Sequence, residues 1–216
     1  MAGEGSTLRW LYLSTYNVVL FFGWSQILYR AVNALSTGGT KSVYAAVEKP
    51  LQIWQSAALL EIFNSIVGIV RSPVMATLPQ IASRIYVTWA ILYSFPETQE
   101  HWLVTSLILS WGVTEVIRYF FFALRETFGV NSSLLTSIRY STFFVLYPTG
   151  IFSEVGLIYI ALPFIKGSNL DKAPLSNKIL YGVALIALVL YIPGSPYMYT
   201  HMMSQRKRAF SKKKKQ

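Results

Sequence analysis

The sequence predicts an all-α membrane protein, a polytopic bundle of six transmembrane helices. Hydrophobic residues make up 53% of its 216 positions, and the mean hydropathy is positive, at +0.43. Charged residues contribute only 13%, whereas a soluble domain usually carries about 25%, so a soluble chain would have too little polar surface. The charges also cluster between six long apolar segments, as expected of a chain solvated by lipid.

Each of the six segments is near the ~20 residues with which a helix rising ~1.5 Å per residue crosses ~30 Å of hydrocarbon. They lack sustained alternation of polar and apolar residues, which favours helices over strands. The first is too long for a signal-peptide core and has no small-residue cleavage site, so we interpret it as a membrane span. The segments cover about 10–31, 51–70, 78–95, 101–124, 137–165 and 179–199.

The C-terminal tail carries much of the formal net charge of +10, since seven of the 19 basic residues lie in the last eleven positions. A basic cluster beside a final apolar helix is more typical of a cytoplasmic anchor than of a nucleic-acid site, so we expect no nucleic-acid partner. We therefore divide the chain into a six-helix transmembrane domain at 1–205 and a basic cytosolic tail at 206–216. The tail ends in Lys213-Lys214-Lys215-Gln216, which is similar to the dilysine retrieval signal of endoplasmic reticulum membrane proteins.

The loops set the orientation of the six spans. The loop between the third and fourth segments contains Glu97 and Glu100 but no Lys or Arg. Basic residues instead flank the loops that fall on the side of the tail, and the positive-inside rule makes that side cytosolic. These residues are Arg71, Arg118, Arg125 and Arg139. Lysines after the fifth segment weaken the contrast without reversing it, so both termini are predicted to be cytosolic.

Cysteine is absent from the sequence. This excludes a disulfide framework, a thiolate nucleophile and any metal site with cysteine ligands. The two histidines, His101 and His201, are far apart and lie near segment ends, where we expect them to be interfacial polar side chains. We therefore predict no metal ion.

Ionisable side chains within the segments require an explanation, because a charge at the bilayer centre costs ~2.5–3.5 kcal/mol on insertion scales. Glu115 and Arg118 are three residues apart and could pair on one helix face. Glu61 and Arg84 could pair between neighbouring helices. We therefore assign Glu61, Arg84 and Glu115 to structural ion pairs, and a further carboxyl, Glu154, lies in the fifth segment.

The fifth segment has a polar stripe, because Tyr140, Tyr147 and Glu154 are spaced by seven residues. Seven residues return to within ~20° of the same helix face. Pro148 lacks an N–H and predicts a kink, and Gly150 leaves room for a substrate or another helix. Two interpretations remain open: the stripe lines a pocket, or it is a packing face whose glutamate hydrogen-bonds to a neighbour.

The stretch Tyr147-Pro148-Thr149-Gly150, followed by Glu154, resembles the active-site stretch of the very-long-chain (3R)-3-hydroxyacyl-CoA dehydratases. These are six-span proteins of the endoplasmic reticulum that act in fatty-acid elongation. The resemblance continues in order through three further blocks, Leu60-Glu61-Ile62 with Gly68, Gln80 with Ser83-Arg84, and Thr114-Glu115 with Arg118-Tyr119. It implies dehydration of the 3-hydroxyacyl-CoA to the trans-2-enoyl-CoA, the third step of the cycle. The implied partners are the acyl-CoA substrate, membrane lipid and other elongation enzymes.

The resemblance also implies that Tyr147 and Glu154 are the catalytic pair. Dehydration removes a proton from C2 and expels the C3 hydroxyl, so it needs a base and a proton donor, which two oxygen acids supply without a cofactor. We assign the C2 proton to Glu154 and departure of the hydroxyl to Tyr147, with the reverse assignment left open. For substrate binding we name Tyr140 and Gly150, and we expect arginines at the cytosolic face to contact the coenzyme A phosphates. These arginines are Arg118, Arg125 and Arg139.

The same family is described as similar to tyrosine phosphatases, whose loop reads His-Cys-x-x-Gly-x-x-Arg. The matching stretch here runs from Asn64 to Arg71, with Ser65 in the position of the nucleophilic thiolate. Phosphatase catalysis by that route is therefore excluded. The alternative function is a non-enzymatic membrane protein that binds a phosphorylated partner through Gly68 and Arg71. A transporter is disfavoured, because the sequence lacks paired, interrupted helices in two matching halves.

Overall fold

A computed structural model describes residues 2–70, 74–130, 132–167 and 174–213. Within these ranges the regular structure is entirely helical, so the all-α prediction is confirmed. The α-helices are α1 (Ala2–Gly38), α2 (Val43–Ala57), α3 (Leu59–Ile66), α4 (Val74–Ile85), α5 (Trp102–Phe128), α6 (Ser133–Arg139), α7 (Phe143–Lys166) and α8 (Leu175–Lys213). A π-helix, Tyr86–Tyr93, continues α4, and short 3₁₀ turns precede α2 and α5.

Four helical stretches in the described part of the chain are long and apolar enough to cross a membrane. They are Thr7–Gly38, Trp102–Phe128, Ser133–Lys166 and Leu175–Ser211, and they match the first, fourth, fifth and sixth predicted segments. The second predicted segment is divided at Ala58 into α2 and α3, and the third changes from α-helix to π-helix at Tyr86. The structure therefore supports a protein with four long apolar helices, and the count of six spans stays a prediction.

The ends of α5 are set by local hydrogen bonds. At its start the ring Nδ1 of His101 accepts a hydrogen bond from the backbone N–H of Leu103 at 3.2 Å, so this histidine caps the helix. At its end Gly129 adopts a left-handed conformation with φ 65°, and the Val130 N–H donates to the carbonyl of Leu124 at 3.3 Å. The Gly129 N–H also donates to the carbonyl of Arg125 at 3.1 Å, so the helix ends in the αL cap that glycine permits. The two caps bound the helix that carries Trp111, Glu115 and Arg118.

Helix α5 lies at the centre of the bundle. It packs against α1 on one side and α7 on the other, while α2 packs against α1 and α8 against α7. The core is formed by large buried side chains from these helices, including Trp24, Ile27, Leu107, Trp111 and Leu157. The apolar side chains of α8 are mostly exposed, among them Ile186 and Leu190, as expected for a face in contact with lipid.

Small polar side chains form the contact between α5 and α7. The hydroxyl groups of Ser110 and Thr149 lie 2.9 Å apart, and Ser153 donates to Ser106 at 2.9 Å. The pairs advance in opposite directions along the two helices, so α5 and α7 are antiparallel. Gly150, predicted to leave room for a substrate or a helix, is buried against Ser110. Small residues let the two backbones approach closely, as they do in membrane helix pairs.

Candidate active site

Glu154 lies in the interior of the bundle, where α7 faces both α5 and α8, and is only 6% exposed. Its Oε1 accepts a hydrogen bond from the indole Nε1 of Trp111 in α5 at 2.9 Å. Its Oε2 accepts a hydrogen bond from the hydroxyl of Tyr191 in α8. A buried carboxylate is tolerated only when donors replace its lost water, and here each oxygen has one donor from a different helix.

Tyr147 faces α8 as well. Its hydroxyl donates a hydrogen bond to the backbone carbonyl of Ser195 at 3.0 Å, and its ring centroid lies 6.0 Å from that of Tyr199. Ser195 is about one helical turn from Tyr191, the partner of Glu154. The two groups that lie two turns apart on α7 therefore contact successive turns of one face of α8. Both are hydrogen-bonded to a neighbouring helix, as the packing interpretation of the stripe predicts.

Tyr140 does not belong to the same helix as the other two members of the stripe. The helix predicted to run through 137–165 is interrupted, because α6 ends at Arg139 and α7 begins at Phe143. In the turn the N–H groups of Ser141 and Thr142 both donate to the carbonyl of Ile138, at 3.1 and 3.0 Å. The prediction of one continuous helix is therefore wrong, and the break lies ahead of Pro148, which α7 contains in its interior.

A chain of charged side chains crosses the bundle beside Glu154. Arg118 in α5 pairs through Nε with Oε2 of Glu115 at 2.7 Å, which confirms the predicted pair. The other two nitrogens of Arg118 bind both carboxylate oxygens of Glu61 in α3, at 2.7 and 3.0 Å. The predicted pair between Glu61 and Arg84 is wrong, because Arg84 in α4 pairs with Glu115. The hydroxyl of Tyr119 donates to Glu61 at 2.5 Å.

The basic residues predicted to contact coenzyme A are in three different environments. Arg118 is held between the two carboxylates described above. Arg139 lies over the rings of Phe121 and Phe122, at 4.9 and 4.2 Å from their centroids, and donates to the carbonyl of Arg118 at 3.5 Å. Arg125 is exposed near the C-terminal end of α5. Of the three, Arg125 is therefore the one whose side chain reaches away from the bundle.

Trp111 links the charged chain to Glu154. The guanidinium carbon of Arg84 lies 5.3 Å from the centroid of the Trp111 ring, whose N–H donates to Glu154. The sequence analysis assigned no role to Trp111, Tyr119 or Tyr191, although Tyr119 stands in one block of the resemblance. The sequence could have indicated Trp111, because it precedes Glu115 by four residues and therefore lies on the same helix face. No sequence pattern indicates Tyr191, since it lies among aliphatic residues and its partner is on another helix.

Glu115 is the group on which we expect the charged chain to depend. It is 2% exposed and neutralises two arginines, and removing one partner from a buried ion pair costs about 3–5 kcal/mol. We expect Glu115→Gln to destabilise the purified protein in detergent by about 3–5 kcal/mol, measured as a lower thermal unfolding midpoint. The exposed Glu97→Gln serves as the matched control. Equal stability of the two variants would contradict a structural role for Glu115.

The stretch similar to the phosphatase loop lies at the end of α3. The Asn64 side chain is buried and accepts a hydrogen bond from the hydroxyl of Tyr12 at 3.0 Å. Gly68 has a left-handed φ of 76°. Arg71, which the phosphoprotein-binding alternative requires, lies outside the described residues, as do Lys214, Lys215 and Gln216 of the tail.

The fold and the site together define a helical membrane protein with a hydrogen-bonded carboxylate and a phenol on its interior faces. Comparison with known proteins agrees with this class. A family model described as "Protein tyrosine phosphatase-like protein, PTPLA" matches residues 55–212, and the chain belongs to this family. The match covers the described helices from the end of α2 through most of α8.

Similar proteins cover nearly the whole chain. It is 57% identical to the very-long-chain (3R)-3-hydroxyacyl-CoA dehydratase PASTICCINO 2A of Oryza sativa subsp. japonica, over 99% of both chains. It is 52% identical to the very-long-chain (3R)-3-hydroxyacyl-CoA dehydratase PASTICCINO 2 of Arabidopsis thaliana, over 100% of both chains. It is 39% identical to the human very-long-chain (3R)-3-hydroxyacyl-CoA dehydratase 2, over 93% of this chain and 81% of the relative. No solved structure matches the chain. The resemblance identified from the sequence is confirmed.

Proposed function

We propose that this protein dehydrates very-long-chain (3R)-3-hydroxyacyl-CoA to trans-2-enoyl-CoA, the third step of the fatty-acid elongation cycle. The observation that carries the proposal is the similarity over nearly the full length to relatives with this name, at 57% and 52% identity. The site fits the reaction, because α7 presents a carboxylate and a phenol toward one face of α8. The substrate comes from the preceding enzymes of the elongation cycle, and its acyl chain lies among the apolar helices.

In the proposed reaction Glu154 is the base and Tyr147 the proton donor. At neutral pH an ordinary carboxyl is ionised and an ordinary phenol is protonated, which favours this assignment over its reverse. Glu154 takes the proton from C2, the electrons of that bond form the C2–C3 double bond, and the C3–O bond breaks. The departing oxygen takes the phenol proton and leaves as water. Exchange with solvent then returns a proton to Tyr147 and removes one from Glu154.

The coenzyme A group belongs at the cytosolic end of α5 in this proposal. Its phosphates require basic side chains that are free to bind them, and Arg125 is exposed there. Arg118 is instead held by Glu61 and Glu115, so we assign it to the stability of the bundle. Tyr140 lies in the turn between α6 and α7, directly after Arg139, and we keep both as proposed substrate-binding residues.

The proposed activity is tested with the full chain purified into lipid nanodiscs. A very-long-chain (3R)-3-hydroxyacyl-CoA is expected to lose one water molecule and give the trans-2-enoyl-CoA, as measured by mass spectrometry of the products. The (3S) isomer is the matched control and is expected to react much more slowly. Failure of the folded protein to convert the (3R) isomer would contradict the proposed function.

We also propose six membrane spans in the endoplasmic reticulum, with both termini and the 206–216 tail in the cytosol. Two further helical stretches, α2 with α3 and α4 with its π-helical continuation, are each near the ~20 residues needed to cross the hydrocarbon. The six-span and four-span arrangements differ in the side on which the loop between α3 and α4 lies. With six spans this loop is cytosolic, and with four it is lumenal.

The absence of cysteine allows single cysteines to report the topology. In sealed microsomes a membrane-impermeant maleimide is expected to label Ser72→Cys, which stands between α3 and α4 in the sequence, and Ser211→Cys, near the C-terminus. Gln99→Cys, ahead of α5, is expected to react only after permeabilisation. Labelling of Ser72→Cys only after permeabilisation would contradict six spans and favour four.

A further inference from the structure

Two neutral donors hold the Glu154 carboxylate in the part of the chain that the structure describes. Trp111 is 2% exposed and gives its indole N–H to Oε1 at 2.9 Å, and Tyr191 gives its hydroxyl to Oε2. Among the side chains that the structure describes, no Lys or Arg forms an ion pair with Glu154. This distinguishes Glu154 from Glu61 and Glu115, which are both paired with arginine.

The nearby positive charge is paired with a different carboxylate. Arg84 lies over the face of the Trp111 ring, and its guanidinium is paired with Glu115, about one turn further along α5. A cation bound directly to a carboxylate favours its ionised form and weakens it as a base. Neutral donors orient a carboxylate while adding no opposite charge, so this arrangement suits a group that must accept a proton.

The two donors also restrict how the carboxylate turns. The terminal torsion of a glutamate side chain is broad when it is unrestrained. Here the donors come from α5 and α8, on different sides of α7, and each binds a different oxygen. A carboxylate oxygen has two lone pairs, so each oxygen keeps one with which to approach a C–H group. Reacting groups must be held close to the productive geometry, since small displacements slow catalysis.

We propose that Trp111 and Tyr191 are positioning residues for the dehydration reaction, which hold the two oxygens of Glu154 in the orientation that accepts the C2 proton. The inference rests on the proposed function and adds two residues to its site. Neither residue is assigned a contact with the substrate, and both act through Glu154.

Conservative aromatic variants test this proposal in lipid nanodiscs. Tyr191→Phe keeps the ring and removes the hydroxyl, and Trp111→Phe removes the indole N–H together with part of the ring system. We expect each to lower kcat about 10- to 100-fold while KM changes by less than about twofold, because a misoriented base slows chemistry and leaves binding intact. Tyr197→Phe on α8 and Trp102→Phe on α5 change exposed side chains of the same types and are expected to keep the wild-type kcat.

An infrared measurement gives a readout that does not require turnover. The carboxylate stretching band of Glu154 is identified by its loss in Glu154→Gln. We expect this band to move in Tyr191→Phe and Trp111→Phe and to stay unchanged in the two controls. If Trp111→Phe fails to fold, the proposal is tested by Tyr191→Phe alone. The Tyr191→Phe substitution removes one oxygen atom and leaves the packing volume almost unchanged.

The outcomes separate this inference from the function on which it rests. An active wild type, an inactive Glu154→Gln and a Tyr191→Phe protein with unchanged kcat would overturn the inference and leave the proposed function standing. A shifted band with unchanged kcat would show that the hydrogen bonds are structural and would also overturn it. A rise in KM with unchanged kcat would indicate a role in substrate binding and contradict a role in positioning Glu154. A wild type that fails to dehydrate the substrate would remove the proposed function first, and the inference with it.

Discussion

Glu154→Gln is expected to lower kcat for the 3-hydroxyacyl-CoA about 10²- to 10⁴-fold, the usual contribution of a positioned general base. An amide does not accept the C2 proton at working pH, so the variant loses the base while keeping the shape of the side chain. Its carbonyl can still accept the N–H of Trp111, and its amide nitrogen can donate to the oxygen of Tyr191. The buried contacts are therefore retained, and the protein is expected to fold as the wild type does.

The measurement is the single-turnover rate in nanodiscs, with thermal unfolding recorded on the same samples. Glu97→Gln, which changes an exposed glutamate, is the control for the substitution itself and is expected to react at the wild-type rate. Full turnover by a correctly folded Glu154→Gln protein would show that the base lies elsewhere.

Tyr147→Phe is expected to have the second-largest effect, a loss of about 10²- to 10⁴-fold in kcat. The hydroxyl at C3 is a poor leaving group without a proton, and phenylalanine has none to give. Stability is expected to change little, because the ring still packs beside Tyr199. Among the described residues, the substitution removes the hydrogen bond to the carbonyl of Ser195, worth about 1 kcal/mol.

Tyr159→Phe gives the matched control for this variant, since Tyr159 is exposed on the same helix. A substrate whose C3 oxygen is already a good leaving group sharpens the test. It is expected to react at similar rates with wild-type and Tyr147→Phe protein, because it no longer needs the phenol proton. Equal slowing of both substrates would contradict the assignment of Tyr147 as proton donor.

The fold was predictable to the extent that it depends on composition along the chain. Long apolar runs of low charge predict helices, and α1, α5 and α8 lie where those runs lie. The interruptions were not predictable in this way, because hydropathy does not report backbone geometry. The division at Ala58 and the π-helix that begins at Tyr86 change the hydrogen bonding of the chain while its side chains stay mostly apolar.

The site was predictable where the relation between residues is local. The pair of Glu115 and Arg118 follows from a spacing of three on one helix, and the shared face of Tyr147 and Glu154 follows from a spacing of seven. Partners on different helices depend on how each helix is rotated and shifted against its neighbour. The pairing of Glu61 with Arg118 is of this kind, and the sequence pattern does not contain that information.

The double variant with Tyr147→Phe and Glu154→Gln tests the central claim most directly. Two groups acting on one bound substrate work as a unit, so their effects do not multiply. We expect its single-turnover rate to be within about tenfold of the slower single variant, while a double control with Tyr159→Phe and Glu97→Gln reacts like wild type. Near-wild-type dehydration by the folded double variant would contradict the account, because the carboxylate and phenol of α7 would then have no part in the chemistry.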